Sequence, residues 1–81
     1  LTINTNALKL IPEEESRKNK LAVFDITNKK IKVAIISPNN QDTKNSLKKL
    51  EKKGYQITVF MVSQQSIRKA WDRYKDISYS V

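Results

Sequence analysis

An α/β sandwich is the fold this sequence predicts: a three-stranded mixed sheet, built from a hairpin plus a βαβ unit and flanked by about four helices. Three observations predict it. Between Lys30 and Ser63 two β-branched runs occur, one from Ile31 to Ile36 and one from Ile57 to Val62, separated by a polar segment of helix length. Such a gap fits a crossover between parallel neighbours, which a hairpin turn cannot make. Leu21 to Ile26 forms an earlier apolar run, joined to the next one by the turn-sized Thr27-Asn28-Lys29-Lys30, so the first two strands pair as a hairpin. Ile67, Ala70, Trp71 and Tyr74 recur at i, i+3, i+4 and i+7, the stripe of an amphipathic helix.

The elements follow in order. Asn4 or Thr5 can cap a short helix whose Ala7, Leu8, Leu10 and Ile11 make a broad apolar side. Pro12 ends it, and because proline suits the first turn of a helix, a second helix starts there and runs to about Asn19. Its charges agree with that direction, with Glu13, Glu14 and Glu15 at the start and Arg17, Lys18 and Lys20 at the end. The carboxylate triplet makes no metal or acid/base site, since consecutive helical residues point in different directions. This helix has no apolar stripe, because Ser16 is polar and Asn19 stands near its end. Its packing is therefore left open by the sequence.

In the second strand Ile31, Val33 and Ile35 share one face, while Ala34 and Ile36 lie on the other beside Lys32. A strand apolar on both faces belongs in the middle of its sheet. The crossover helix spans Gln41 to Lys53, capped by Asn40 or Asp42, with Thr43, Leu47, Leu50 and Gly54 aligned. Gly54 suits the left-handed residue that closes a helix, with Tyr55 as the apolar contact beyond it. The third strand, Gln56 to Val62, alternates Ile57, Val59 and Met61 against Thr58, Phe60 and Val62. Ser63 caps the last helix. Trp71 and Tyr74 could stack on a ligand, but aromatics on a buried helical stripe are ordinarily core.

Composition excludes more than it assigns. With 81 residues the chain forms one domain, and it has no cysteine and no histidine. That removes disulfides, Cys/His metal sites, thiol nucleophiles and imidazole bases. The single glycine, Gly54, rules out a Walker A loop or a dinucleotide-binding fingerprint, both of which need several. No apolar run reaches the ~20 residues that span a bilayer. No catalytic, cofactor-binding or metal residue is assigned, and no cofactor is expected. The chain starts at Leu1 rather than Met, as expected of a fragment or processed piece of a longer protein.

The formal charge is +8, which raises the prospect of an anionic partner. Lys44, Lys48, Lys49, Lys52 and Lys53 crowd the crossover helix and are the candidate nucleic-acid surface of a small basic domain. No aromatic interleaves with them to stack bases, and a lysine-rich outer face is ordinarily a solvated one. Nucleic acid is thus the alternative partner rather than the expected one.

Ala7-Leu8-Lys9-Leu10-Ile11-Pro12-Glu13-Glu14, then Arg17-Lys18-x-Lys20, then Ile31-Lys32-Val33-Ala34 leading to Pro38-Asn39-Asn40, resembles the N-terminal domain of type II secretion and type IV pilus assembly ATPases. Gly54-Tyr55, Val62-Ser63 and Arg73-Tyr74 continue the likeness. The resemblance implies a noncatalytic docking domain over residues 1–81, with N-terminal helices at 4–20, an α/β core at 21–75 and a tail or linker at 76–81. It implies a cytoplasmic module, peripheral to the inner membrane, that docks a homo-hexameric ATPase to inner-membrane assembly or platform proteins. The contact residues are not given by it. Some relatives bind cyclic di-GMP through paired Arg-Leu-Gly motifs preceding this region; no Arg-Leu-Gly occurs here, and that activity is not carried over.

Overall fold

Asn4 opens the first helix by accepting the Asn6 N–H on its side-chain oxygen at 2.9 Å, so the capping choice falls on Asn4 rather than Thr5. The computed structural model describes residues 2–77. In it α1 (Thr5–Leu8) is followed by α2 (Glu13–Lys18), β1 (Leu21–Thr27), β2 (Lys30–Ile35), α3 (Gln41–Lys52), β3 (Gln56–Met61) and α4 (Gln64–Asp72), with a 3₁₀ turn η1 (Arg73–Asp76). Pro12 stands one place earlier than expected, at the N-cap of α2, where its carbonyl accepts the Ser16 N–H at 2.9 Å. Lys20, with φ +58, turns the chain out of α2 into β1.

The sheet has the order β1-β2-β3, antiparallel then parallel, with β2 in the middle. Thr27 pairs with Lys30, so the hairpin loop is two residues, and Asn28 takes φ +56, a region asparagine tolerates better than most residues. The register slips between Val23 and Asp25. Phe24 is the extra residue, and this bulge reverses the strand's parity. Leu21 and Val23 enter the core; beyond the bulge Ile26, not Asp25, takes the place opposite Ile31. Asp25 then lies beside Lys32, at 3.8 Å, instead of pointing into apolar surroundings.

Each face of the sheet has its own core. On one, Leu21, Val23, Ile31, Val33 and Ile35 pack with Ala7, Ile11 and Leu50 of α3. On the other, Ala22 packs with Leu8, Ile67, Ala70, Trp71, Tyr74 and Ile77. The fold is the predicted α+β sandwich, and α1, at the β1 side, contributes Ala7 to one core and Leu8 to the other.

α3 is capped by the Asn40 side chain, which accepts the Thr43 N–H at 3.2 Å. Its far end is a Schellman turn: Gly54 N–H bonds the Glu51 carbonyl at 2.9 Å and Tyr55 N–H the Leu50 carbonyl at 3.3 Å, with Gly54 at φ +95. Its buried side differs from the expected stripe. Thr43, Ser46 and Leu50 are buried, Leu47 is half-buried, and Gly54 is exposed. Ser63 caps α4 by accepting the Ser66 N–H at 3.2 Å. That helix ends at Asp72, so Tyr74 sits in η1 yet stays buried. Packing extends past residue 75, since Asp76 closes η1 and Ile77 is buried; the remainder of the tail, 78–81, lies outside the described residues.

Candidate docking surface

α2 is held by hydroxyls and an amide rather than by an apolar stripe. Ser16 is fully buried and hydrogen-bonds the Tyr74 hydroxyl at 2.6 Å, and that hydroxyl donates to the Ile11 carbonyl at 2.8 Å. A phenol has one proton, so with it committed to Ile11 the Ser16 hydroxyl is the donor of the pair. Asn19, at the C-cap of α2, donates from Nδ2 to Ser46 Oγ at 2.6 Å and accepts the Thr43 hydroxyl on its carbonyl at 2.6 Å. The two residues that deprived α2 of apolar character therefore fasten it, one to η1 and one to α3. Every buried side-chain polar atom among the described residues has a partner, as a fully connected polar junction requires.

Between α2 and α3 runs an open groove of ≈ 720 Å³, lined by Glu14, Glu15, Lys18, Asp42 and Lys49 among others. Its charges are mixed and partly spent on each other. Lys49 Nζ lies 3.6 Å from Glu15 Oε1, and Arg17 Nε lies 2.8 Å from Glu13 Oε2. Two of the three carboxylates, Glu13 and Glu15, are thus paired with bases, and no group of His, Cys, Asp or Glu able to hold a metal occurs among the described residues.

All five crossover-helix lysines are exposed. They do not form one field. Lys44, Lys48 and Lys52 follow at i, i+4 and i+8 along the outward row, whereas Lys49 faces α2 through Glu15. The aromatics that could assist a nucleic-acid surface lie elsewhere. Lys29 Nζ is 4.8 Å from the Tyr55 ring centre, and Arg17 lies 5.6 Å from that of Trp71. Trp71 and Tyr74 are core, as their spacing suggested; the indole N–H donates to the Leu21 carbonyl at 3.1 Å.

The surface that sequence reasoning missed is on β3. Val59, Phe60 and Met61 are 44%, 40% and 65% exposed, although their alternation resembles that of a covered strand. Phe60 meets Phe24 edge-on at 5.5 Å between ring centres, and the side chains of β3 are otherwise open over most of the strand. The available signal was the strand order, because a central β2 leaves β3 at an edge.

No curated protein matches the chain. A family model, the MshEN domain, matches residues 1–79. Among solved structures, the structure of MshE with cdg superposes with a TM-score of 0.79 at 18% identity, covering 91% of this chain and 52% of that one. The chain thus spans about half the length of that protein's chain, and at this identity the likeness is one of fold.

Proposed function

The chain belongs to the MshEN domain family, the N-terminal domain of type II secretion and type IV pilus ATPases, and we propose that it is the noncatalytic docking module through which such a motor is held to inner-membrane assembly proteins. The observation that carries this reading is the family match over residues 1–79. Docking asks for a surface held in fixed relation to the rest of the protein. The hydroxyl and amide contacts of α2 support that role, because they fix both its orientation against α3 and its distance from η1.

The motor would be a homo-hexamer assembled through its ATPase domain, on the cytoplasmic side and peripheral to the membrane through its protein partners. Among the described residues no helix is long and apolar enough to cross a membrane. The cdg belongs to the MshE structure and is not carried over to this chain, in which no Arg-Leu-Gly occurs.

The test compares the full-length ATPase with a form lacking residues 1–77, each sedimented with membranes that carry the assembly proteins. The intact motor pellets with the membranes and the shortened one stays in the supernatant. Equal pelleting of both overturns the reading.

A further inference from the structure

The two edges of the sheet are treated differently. The β1 edge is closed: the Asn4 N–H occupies the Phe24 carbonyl at 2.8 Å, α1 packs along the strand and the Phe24 bulge interrupts it. Among the described residues the β3 edge is open. Gln56 N–H bonds the Lys29 carbonyl at 2.7 Å and Val62 N–H the Ile35 carbonyl at 2.9 Å, so even-numbered residues of β3 face β2. Alternation then points the N–H and C=O of Ile57, Val59 and Met61 outward.

β3 also lacks the devices that normally protect such an edge. Gln56-Ile57-Thr58-Val59-Phe60-Met61 contains no charge and no proline, and its register with β2 runs without a bulge. A regular, uncharged, apolar edge is a template for another strand. We propose that the outer edge of β3 takes an extended acidic segment of a partner protein as the fourth strand of the sheet. This names the contact surface of the docking reading and rests on it.

The backbone fixes the partner's conformation, and the charge around the edge fixes its chemistry. Between Glu51 and Asp72, the stretch of chain that contains β3, no acid occurs, whereas Lys52, Lys53, Arg68 and Lys69 fall there and are exposed. Lys30 adds to them from β2, opposite Gln56, whereas Lys32 is paired with Asp25 at 3.8 Å. A second copy of the chain would bring the same bases and a further +8 to the same edge, which like-charge repulsion opposes. An acidic strand meets complementary charge, and its apolar side chains cover Val59 and Met61 on one face or Phe60 on the other.

The direct test uses the full chain and two synthetic nine-residue peptides, one alternating Glu with Val and Thr, the other with Lys in place of Glu. With the acidic peptide at about ten times its dissociation constant, amide exchange slows about tenfold at Ile57, Val59 and Met61, whose N–H groups face outward in the free chain; Thr58 and Phe60, already bonded to β2, exchange only on opening and slow by no more than that same factor. The lysine peptide leaves all five unchanged. Val59→Pro removes an outward N–H, a change that edge strands tolerate, and abolishes the protection at Ile57 and Met61 while the chain still unfolds cooperatively. Protection by the lysine peptide, protection located elsewhere, or pairing of β3 between two copies overturns the proposal. In the sedimentation assay, release by Val59→Pro in the intact motor supports it. Release by deletion of residues 1–77 but not by Val59→Pro overturns the edge and leaves docking standing; no release by deletion overturns both.

Discussion

Tyr74→Phe removes one oxygen from the junction that joins α2 to η1, and the structure sets the size of the loss. The Tyr74 hydroxyl donates to the Ile11 carbonyl at 2.8 Å and accepts from Ser16 at 2.6 Å. Phenylalanine leaves two buried polar groups without their partner, each at about 1–3 kcal/mol, so we expect a loss of about 2–6 kcal/mol. A chain of 81 residues has about 4–12 kcal/mol in total, so the effect is large. Ser16→Ala is milder, at about 0–1 kcal/mol, because Tyr74 keeps its bond to Ile11 and alanine favours helix by roughly 0.5 kcal/mol. The double variant loses about 1 kcal/mol less than the sum, since Tyr74→Phe then strands only the Ile11 carbonyl. Urea unfolding followed by the fluorescence of Trp71, the one tryptophan and 6% exposed, reads all three. With a slope of about 1 kcal/mol/M, the Tyr74→Phe midpoint falls by about 2 M or more. A fall below about 0.5 M at unchanged slope, or strict additivity in the cycle, refutes the assignment of α2 docking to this junction.

Gly54→Ala tests the end of α3. An added Cβ would meet nothing within 4 Å, yet φ is +95, so the whole cost is backbone strain, about 1 kcal/mol in the same urea experiment; no change would mean that the Schellman turn does not hold the helix end. Reversing Lys44, Lys48 and Lys52 to glutamate changes the charge by two at each of three sites, from +8 to +2. With none of the three in an ion pair among the described residues, the unfolding midpoint rises slightly at low salt, and the difference disappears near about 0.5 M NaCl. Single-stranded DNA binding that falls steeply with salt and is lost in this variant would instead make the row a nucleic-acid surface.

The expectations that held depend on short-range bonds. Asn4, Asn40 and Ser63 cap their helices within three residues of themselves, and the Gly54 turn closes within five. Residue type there nearly dictates the outcome, since the partner is always adjacent. The division of β2 into Ile31, Val33 and Ile35 against Ala34 and Ile36 follows from the period of a strand. The bulge at Phe24 was not legible, since positions 21 to 24 are all apolar and 22, 24 and 26 keep the two-residue period.

The site was less legible. The five lysines of the crossover region are exposed, as expected, but only folding sets Lys49 against Glu15, 34 positions away in the chain. Sequence reasoning counted Ser16 and Asn19 against the packing of α2, because polar residues bury well only when a partner is supplied. Those partners, Tyr74 and Ser46, lie 58 and 27 residues away.

The sequence by itself determined the elements, their order, the hairpin-plus-crossover sheet and the central place of β2, all through local bonding and periodicity. Tertiary structure alone decided how a helix without an apolar stripe is docked, and that Val59, Phe60 and Met61 are left open. Burial is a competition among distant elements for a limited area of sheet, so the same apolar residue type is core or surface according to which helix reaches it.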